Sequence, residues 1–161
     1  MLNIFKHKDA LIKAAAARWV ELAAQAIADH GQFHVALSGG TTPRLLYEEL
    51  AKPEYAALIE WQKVHIYFGD ERHVAPDHDD SNYRMAYETL LHHGKIPPQH
   101  IHRIEAEHKD LNNSAAAYAQ CLSQFLPVDL QATRHFDLVL LGLGPDGHIA
   151  SLFPDTAILE E

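Results

Sequence analysis

The sequence predicts an α/β fold, a mostly parallel sheet with helices on both faces. Three observations carry this. Short, largely apolar runs (FHVAL at 33–37, KVHIYF at 63–68, FDLVLL at 136–141) are separated by segments of helical period. The runs are apolar rather than alternating, as strands covered on both faces are. Each run is followed by a polar, glycine-bearing loop, and open parallel sheets bind ligands at the carboxyl ends of their strands.

From Asp9 to His30 the pattern suits an amphipathic helix, with Leu11, Ala15, Trp19, Leu22 and Ala26 near one face. Asp9 is placed to cap its start and Gly31 to end it. Phe33–Leu37 is the first strand. The loop Ser38-Gly39-Gly40-Thr41-Thr42 leads to a helix opened by Pro43 and running to about Leu50, since proline suits a first helical turn. Lys63–Phe68 is the second strand, and the loop GDERHVAPDHDD comes after it. Ser81 or Asn82 caps a helix through Leu91, and the stretch from Gly94 to Pro98 breaks it. Ser114–Leu126 is an alanine-rich helix. Phe136–Leu141 is the third strand. After it come Gly142-Leu143-Gly144-Pro145-Asp146-Gly147-His148 and a short helical stretch to Phe153, closed by Pro154.

The 161 residues are 47% apolar, enough for one domain over 1–161 with a real core. The formal net charge is -9 and no Lys/Arg block stands out, which argues against nucleic acid and against anionic membranes. It does not exclude a small anionic substrate, which responds to local dipoles and single cations. One cysteine, Cys121, permits no internal disulfide. The opening residues carry no apolar signal core, and no apolar run is long enough to span a bilayer, so a cytoplasmic protein is expected. No exposed apolar stripe stands out, and a monomer is expected.

The three loops form one expected site. Ser38 to Thr42 has the ingredients of an anion cradle. Glycines permit close backbone approach, and hydroxyls and free N–H groups lie at a helix start. The alternative is a strand-to-helix turn with Thr42 as N-cap. Asp70, Glu71 and Arg72 come directly after the second strand. An arginine there binds an anion or stabilises an oxyanion, and an aspartate moves a proton or holds a neighbour. The alternative is a solvated loop with a local ion pair.

GLGPDGH contains G-x-G-x-x-G, but Pro145 and Asp146 occupy positions where a dinucleotide-binding helix begins, and Pro154 keeps the helix after the motif short. No nucleotide cofactor is expected. His148 suits a general base, with Asp146 close enough to orient it. His92-His93 and His100-x-His102 lack the spacing of a metal set, so no metal is expected. Ser38 lacks the first glycine of G-x-S-x-G, which ranks a serine nucleophile second.

Ser38-Gly39-Gly40-Thr41-Thr42-Pro43, then Gly69-Asp70-Glu71-Arg72 with Ser81-Asn82-Tyr83, then Gly142 through Pro154 resemble, in order and spacing, the 6-phosphogluconolactonases of the glucosamine-6-phosphate isomerase/6-phosphogluconolactonase family. The resemblance implies a Rossmann-like fold. It also implies hydrolysis of 6-phospho-D-glucono-1,5-lactone in the oxidative pentose phosphate pathway, without cofactor or metal. The related deaminases typically carry a glutamate where this chain has Phe153, which favours the lactonase. Family members continue well beyond the position of Glu161, which implies a C-terminally shortened member or a fragment.

Under this resemblance Ser38, Gly39, Gly40, Thr41, Thr42 and Gly144 bind the substrate and its phosphate. Arg72 meets the phosphate or the oxyanion, His148 is the base, and Asp70 and Asp146 orient or polarise. The rivals are an amino-sugar-phosphate isomerase or deaminase with Asp70 abstracting a proton, and a sugar-phosphate-binding fragment without turnover.

Overall fold

The computed structural model describes residues 2–93, 96–128 and 133–160. Helix α1 runs Lys8–His30. Its N-cap is His7 rather than Asp9, which lies in the first turn, where a carboxylate favours the helix dipole. Gly31 ends it as expected, at φ 90°, with its N–H on Ile27 O at 3.0 Å.

The buried stripe is Ile12, Ala16, Trp19, Ala23 and Ala26, which is rotated from the expected one. Leu11 is exposed, and Ala15 and Leu22 only flank the stripe. Alanines fill both candidate faces, so periodicity alone does not choose between them. Ile12 and Trp19, two turns apart, decide it, and Trp19 meets Phe33 edge to face at 5.7 Å.

Strands β1 (Phe33–Leu37), β2 (Val64–Phe68) and β3 (Leu138–Val139) form a parallel sheet in the order β2-β1-β3. Phe33 pairs with Val64 and Leu37 with Phe68, while Val35 pairs with Leu138. Every residue of β1 and β2 is buried, as the apolar runs predicted. The two faces differ in chemistry. Phe33, Val35, Leu37, Val64, Ile66 and Phe68 join the main core with α1 and α2. The alternate positions His34, Ala36, His65 and Tyr67 face the other way, where Leu122 and Leu126 pack on Ala36 and Tyr67.

Helix α2 runs Thr41–Leu50, with Gly40 at the N-cap. It therefore begins before Pro43, and Thr42 is not the cap. A one-turn α3 (Pro53–Ala56) and a 3-10 turn at Trp61–Lys63 lead into β2, which is why Lys63 falls outside the strand. Helix α4 (Asn82–Ala86) is capped by Ser81, whose Oγ accepts from Arg84 N at 3.2 Å. It continues as a π turn, Tyr87–Leu91. Gly94 and Lys95 of the expected break lie outside the described residues. Helix α5 is Leu111–Phe125, starting earlier than expected because Asp110 accepts from Asn112 N and Asn113 N.

Two expectations are corrected. The third strand is two residues long, not six. β1 pairs with one side of it, no strand among the described residues pairs with the other, and the chain leaves the ladder at the glycine loop. Residues 148–153 are not helical. Ile149 and Leu152 exchange backbone hydrogen bonds at 3.1 and 2.9 Å across a tight turn, with Ala150 at φ 52°. Among the described residues no helix is long and apolar enough to cross a membrane.

Candidate active site

Parallel strands bring their carboxyl ends to one edge, so the loops after β1, β2 and β3 meet there. They enclose a cleft of about 500 Å³ lined by residues 38–43, 70, 72, 82, 141–145, 148 and 150. Every residue given a role in the expected site lines it except Asp146, which stands behind His148. A larger cleft of about 750 Å³ lies elsewhere, between the π turn and α5. It contains none of the three loops.

The first wall is the start of α2. Gly40 adopts φ 99°, a left-handed conformation that side chains disfavour. Thr41 and Thr42 occupy the first helical turn, exposed, with backbone N–H groups that have no intrahelical partner there. Gly39 packs so closely on α4 that a Cβ would overlap the Asn82 amide.

The loop is fastened from beneath. The fully buried Tyr47 hydroxyl donates to Ser38 O at 2.8 Å and accepts from Ser38 N at 3.0 Å. Burial raises this phenol well above its ordinary range. Tyr118 of α5 holds the end of β2 in the same way, with its hydroxyl 2.9 Å from both Phe68 N and Phe68 O. Its phenol is pushed up to about 12 by burial. A chain leaving a sheet edge has backbone groups without ladder partners, and each hydroxyl supplies both. Removing the Tyr47 hydroxyl orphans two groups of Ser38. Tyr47→Phe is therefore expected to lower stability by about 1–3 kcal/mol, read from urea unfolding. An unchanged midpoint would show that the loop holds itself.

The second wall comes after β2. Asp70 is not a free carboxylate. Its Oδ2 accepts from Ser151 Oγ at 2.7 Å, and Asn82 Nδ2 donates to its backbone oxygen at 3.1 Å and to its Oδ1 at 3.3 Å. Glu71 turns away from the cleft. It accepts from Asn82 N, Tyr83 N and Ser81 Oγ, at 2.7, 2.8 and 3.2 Å, and so anchors its loop to the start of α4. The Arg72 guanidinium is exposed and makes no hydrogen bond or ion pair among the described residues. The local Glu71–Arg72 pair allowed by the sequence is therefore not formed.

The third wall carries the imidazole. The ring of His148 contacts Asp146 Oδ1 through Nδ1 at 2.5 Å, and its backbone N–H reaches the same oxygen at 3.3 Å. These two bonds hold the Asp146 carboxyl below its ordinary range, the ring bond first. With Nδ1–H donating to Asp146, Nε2 carries the lone pair, and it has no partner among the described residues. Phe153 stacks on the ring at 4.6 Å and 26°. Gly144 backs it so closely that a Cβ would overlap Cε1 and Nδ1.

The arrangement can bind an anion at the start of α2, offer a cation at Arg72, and remove a proton at His148. Sequence reasoning missed Tyr47, and gave Asn82 a place in the family motif and a possible cap but no role in the site. With Ser81 as the actual cap, Asn82 is free to bridge Gly39 and Asp70. Nothing in the sequence pattern marked Tyr47.

The family model described as glucosamine-6-phosphate isomerases/6-phosphogluconolactonase matches residues 6–161. A 6-phosphogluconolactonase of Synechocystis is 42% identical over 158 residues, covering 98% of this chain and 64% of that protein. One from Nostoc is 44% identical over 135 residues, covering 84% and 55% respectively. The structure of 6-phosphogluconolactonase from Trypanosoma brucei superposes with a TM-score of 0.85 at 32% identity, covering 99% of this chain and 65% of that one. The chain thus spans less than two thirds of the length of these relatives.

Proposed function

The chain belongs to the glucosamine-6-phosphate isomerase/6-phosphogluconolactonase family, and on that premise we propose that it hydrolyses 6-phospho-D-glucono-1,5-lactone to 6-phosphogluconate in the oxidative pentose phosphate pathway. The observation that carries the reading is the His148–Asp146 pair on the same cleft as the anion-binding start of α2. A lactone that carries a phosphate needs both.

The phosphate lies against the N–H groups of Thr41 and Thr42 and the hydroxyls of the loop, where the helix dipole favours negative charge. Arg72 adds a mobile positive charge. Binding the remote phosphate fixes the lactone carbonyl near His148. Nε2 of His148 takes a proton from water as the water oxygen bonds to C1. The carbonyl electrons move to oxygen, and N–H donors of the Gly142–Gly144 loop or Arg72 stabilise that charge. As the carbonyl re-forms, the bond from C1 to the ring oxygen breaks, and His148 returns its proton to that oxygen. Asp146 holds the ring and balances the imidazolium. No covalent intermediate is involved, because the lactone is already a reactive ester.

The isomerase or deaminase reading fits less well. The Asp70 carboxylate is occupied by Ser151 and Asn82, and an apolar Phe153 rather than an acid lies against His148. Catalysed hydrolysis of freshly made lactone, with no ammonia released from glucosamine 6-phosphate, is the expected outcome. The reverse pattern sinks the proposal. Ser38→Ala is expected to weaken binding but retain turnover, and abolished turnover with intact binding would indicate a serine nucleophile. Gly144→Ala drives a methyl into the His148 ring and is expected to lower kcat about 100-fold with circular dichroism unchanged. Wild-type kcat in that variant would mean that the ring is not held where the chemistry occurs. A monomer acting in the cytoplasm, without nucleic acid, accompanies this reading. The charge of -9 supports the absence of nucleic acid, and light scattering at 18.1 kDa tests the monomer.

A further inference from the structure

At the opposite edge of the sheet, where the strands begin, a second cluster of chemistry-bearing side chains lies apart from the cleft. His30 is the last residue of α1, and Asp137 directly precedes β3. His135 lies two residues before Asp137. One ligand atom from each of the three falls within 4.8 Å of the others. We propose that His30, His135 and Asp137 form a site for a divalent transition-metal ion of the zinc class, which pins the end of α1 to the start of β3.

The donor set carries the choice of metal. Two imidazoles and one carboxylate suit a borderline ion such as zinc, whereas magnesium and calcium take oxygen ligands. Bonds of about 2.0–2.2 Å to zinc place tetrahedral ligand atoms about 3.3 Å apart. His30 Nε2 and Asp137 Oδ1 already lie 2.9 Å apart, and a ring nitrogen of His135 lies within 4.8 Å of both. That ring has an unused nitrogen. Its Nδ1 is buried and has no hydrogen-bond partner among the described residues, an orphaned state that coordination would relieve.

The carboxylate is oriented from behind. Asp137 Oδ2 accepts from His34 N at 2.7 Å, which leaves Oδ1 for the metal. Such outer hydrogen bonds are typical of built metal sites. The fourth position opens on a small cleft of about 220 Å³, whose walls include Asp29 and Gln25. Water completes the shell there, and Asp29 adds negative charge. His30 is partly exposed and gives the ion a way in.

Without metal, His30 and Asp137 still form a hydrogen-bonded pair, but His135 has no part in that pair. This separates the two states experimentally. A metal there bridges positions 107 residues apart and stabilises the folded chain by mass action. It lies at the edge away from His148 and is a structural site.

The test is a zinc titration of the metal-free chain by calorimetry, with thermal melts alongside. One zinc per chain is expected at this site, with Tm raised several degrees at zinc about a hundredfold above its Kd. Both effects are expected to vanish in His135→Ala and to persist in His148→Ala, which removes the hydrogen-bonded His–carboxylate pair of the cleft. His135→Gln, which keeps the side chain polar and of similar size, is the second variant in case alanine impairs folding. Zinc binding and the Tm rise both unchanged in the His135 variants would overturn the proposal. So would the absence of any Tm rise in the wild-type chain.

Discussion

Lowering the pH from 7 to 4 is expected to remove roughly 3–6 kcal/mol of stability, a large share of what holds a typical domain. The cause lies on the polar face of the sheet. His65 and His102 are buried there, with His65 Nδ1 3.1 Å from His102 Nε2. The groups facing His65 are the rings of His34, His100 and His102, while His102 faces Tyr67, Phe125 and the Cys121 thiol. No carboxylate is among these contacts.

Desolvation pushes His65 down to about 3 and His102 down to about 4, and the nearby imidazoles add to both shifts. The folded state therefore resists protonation that the unfolded chain accepts from about 6.5 downward. The stability is complete above pH 6.5 and falls as pH drops toward 4, by up to about 3 kcal/mol for each ring at pH 4. Urea unfolding at pH 7, 5.5 and 4 reads this directly. A flat profile, or one unchanged when both histidines are replaced by glutamine, would show that the stack is not the acid-sensitive element.

His148→Ala is the second large effect. Kcat is expected to fall about 10²–10⁴-fold, the usual contribution of a positioned general base. Binding of 6-phosphogluconate is expected to change little, because in the proposed reading the start of α2 and Arg72, not His148, hold the phosphate. Asp146→Asn is expected to act in the same direction with a smaller loss, since it removes the ring's orienting carboxylate but not the ring. If His148→Ala weakened product binding as much as turnover, the ring would be a binding group and the base would lie elsewhere.

The parts of the fold legible in the sequence were those set by continuous apolar runs and by punctuation. FHVAL is β1 residue for residue, and Gly31 ends α1 at a positive φ. The buried stripe of α1 was legible only as a period, because alanines on neighbouring faces left its phase to Ile12 and Trp19. The third strand looked long because apolarity was taken as pairing. Val139 and Leu141 are in fact exposed, and β3 has one strand neighbour among the described residues.

In the site, glycines and titratable residues were readable because their chemistry is local. The two tyrosine hydroxyls that fasten the strand ends were not, since each acts across tertiary space. Nor was the polar face of the sheet. The single histidines of β1 and β2 carried no separate signal within their apolar runs, and only the parallel register stacks His34 on His65 at 4.7 Å.

The most direct measurement is the rate of acid release from freshly prepared 6-phospho-D-glucono-1,5-lactone, set against its spontaneous hydrolysis. The proposed reading leads to a rate well above background, saturable in lactone, inhibited competitively by 6-phosphogluconate and lowered at least about 100-fold in His148→Ala. A rate equal to background in the folded chain, or one left undiminished by His148→Ala, would contradict it.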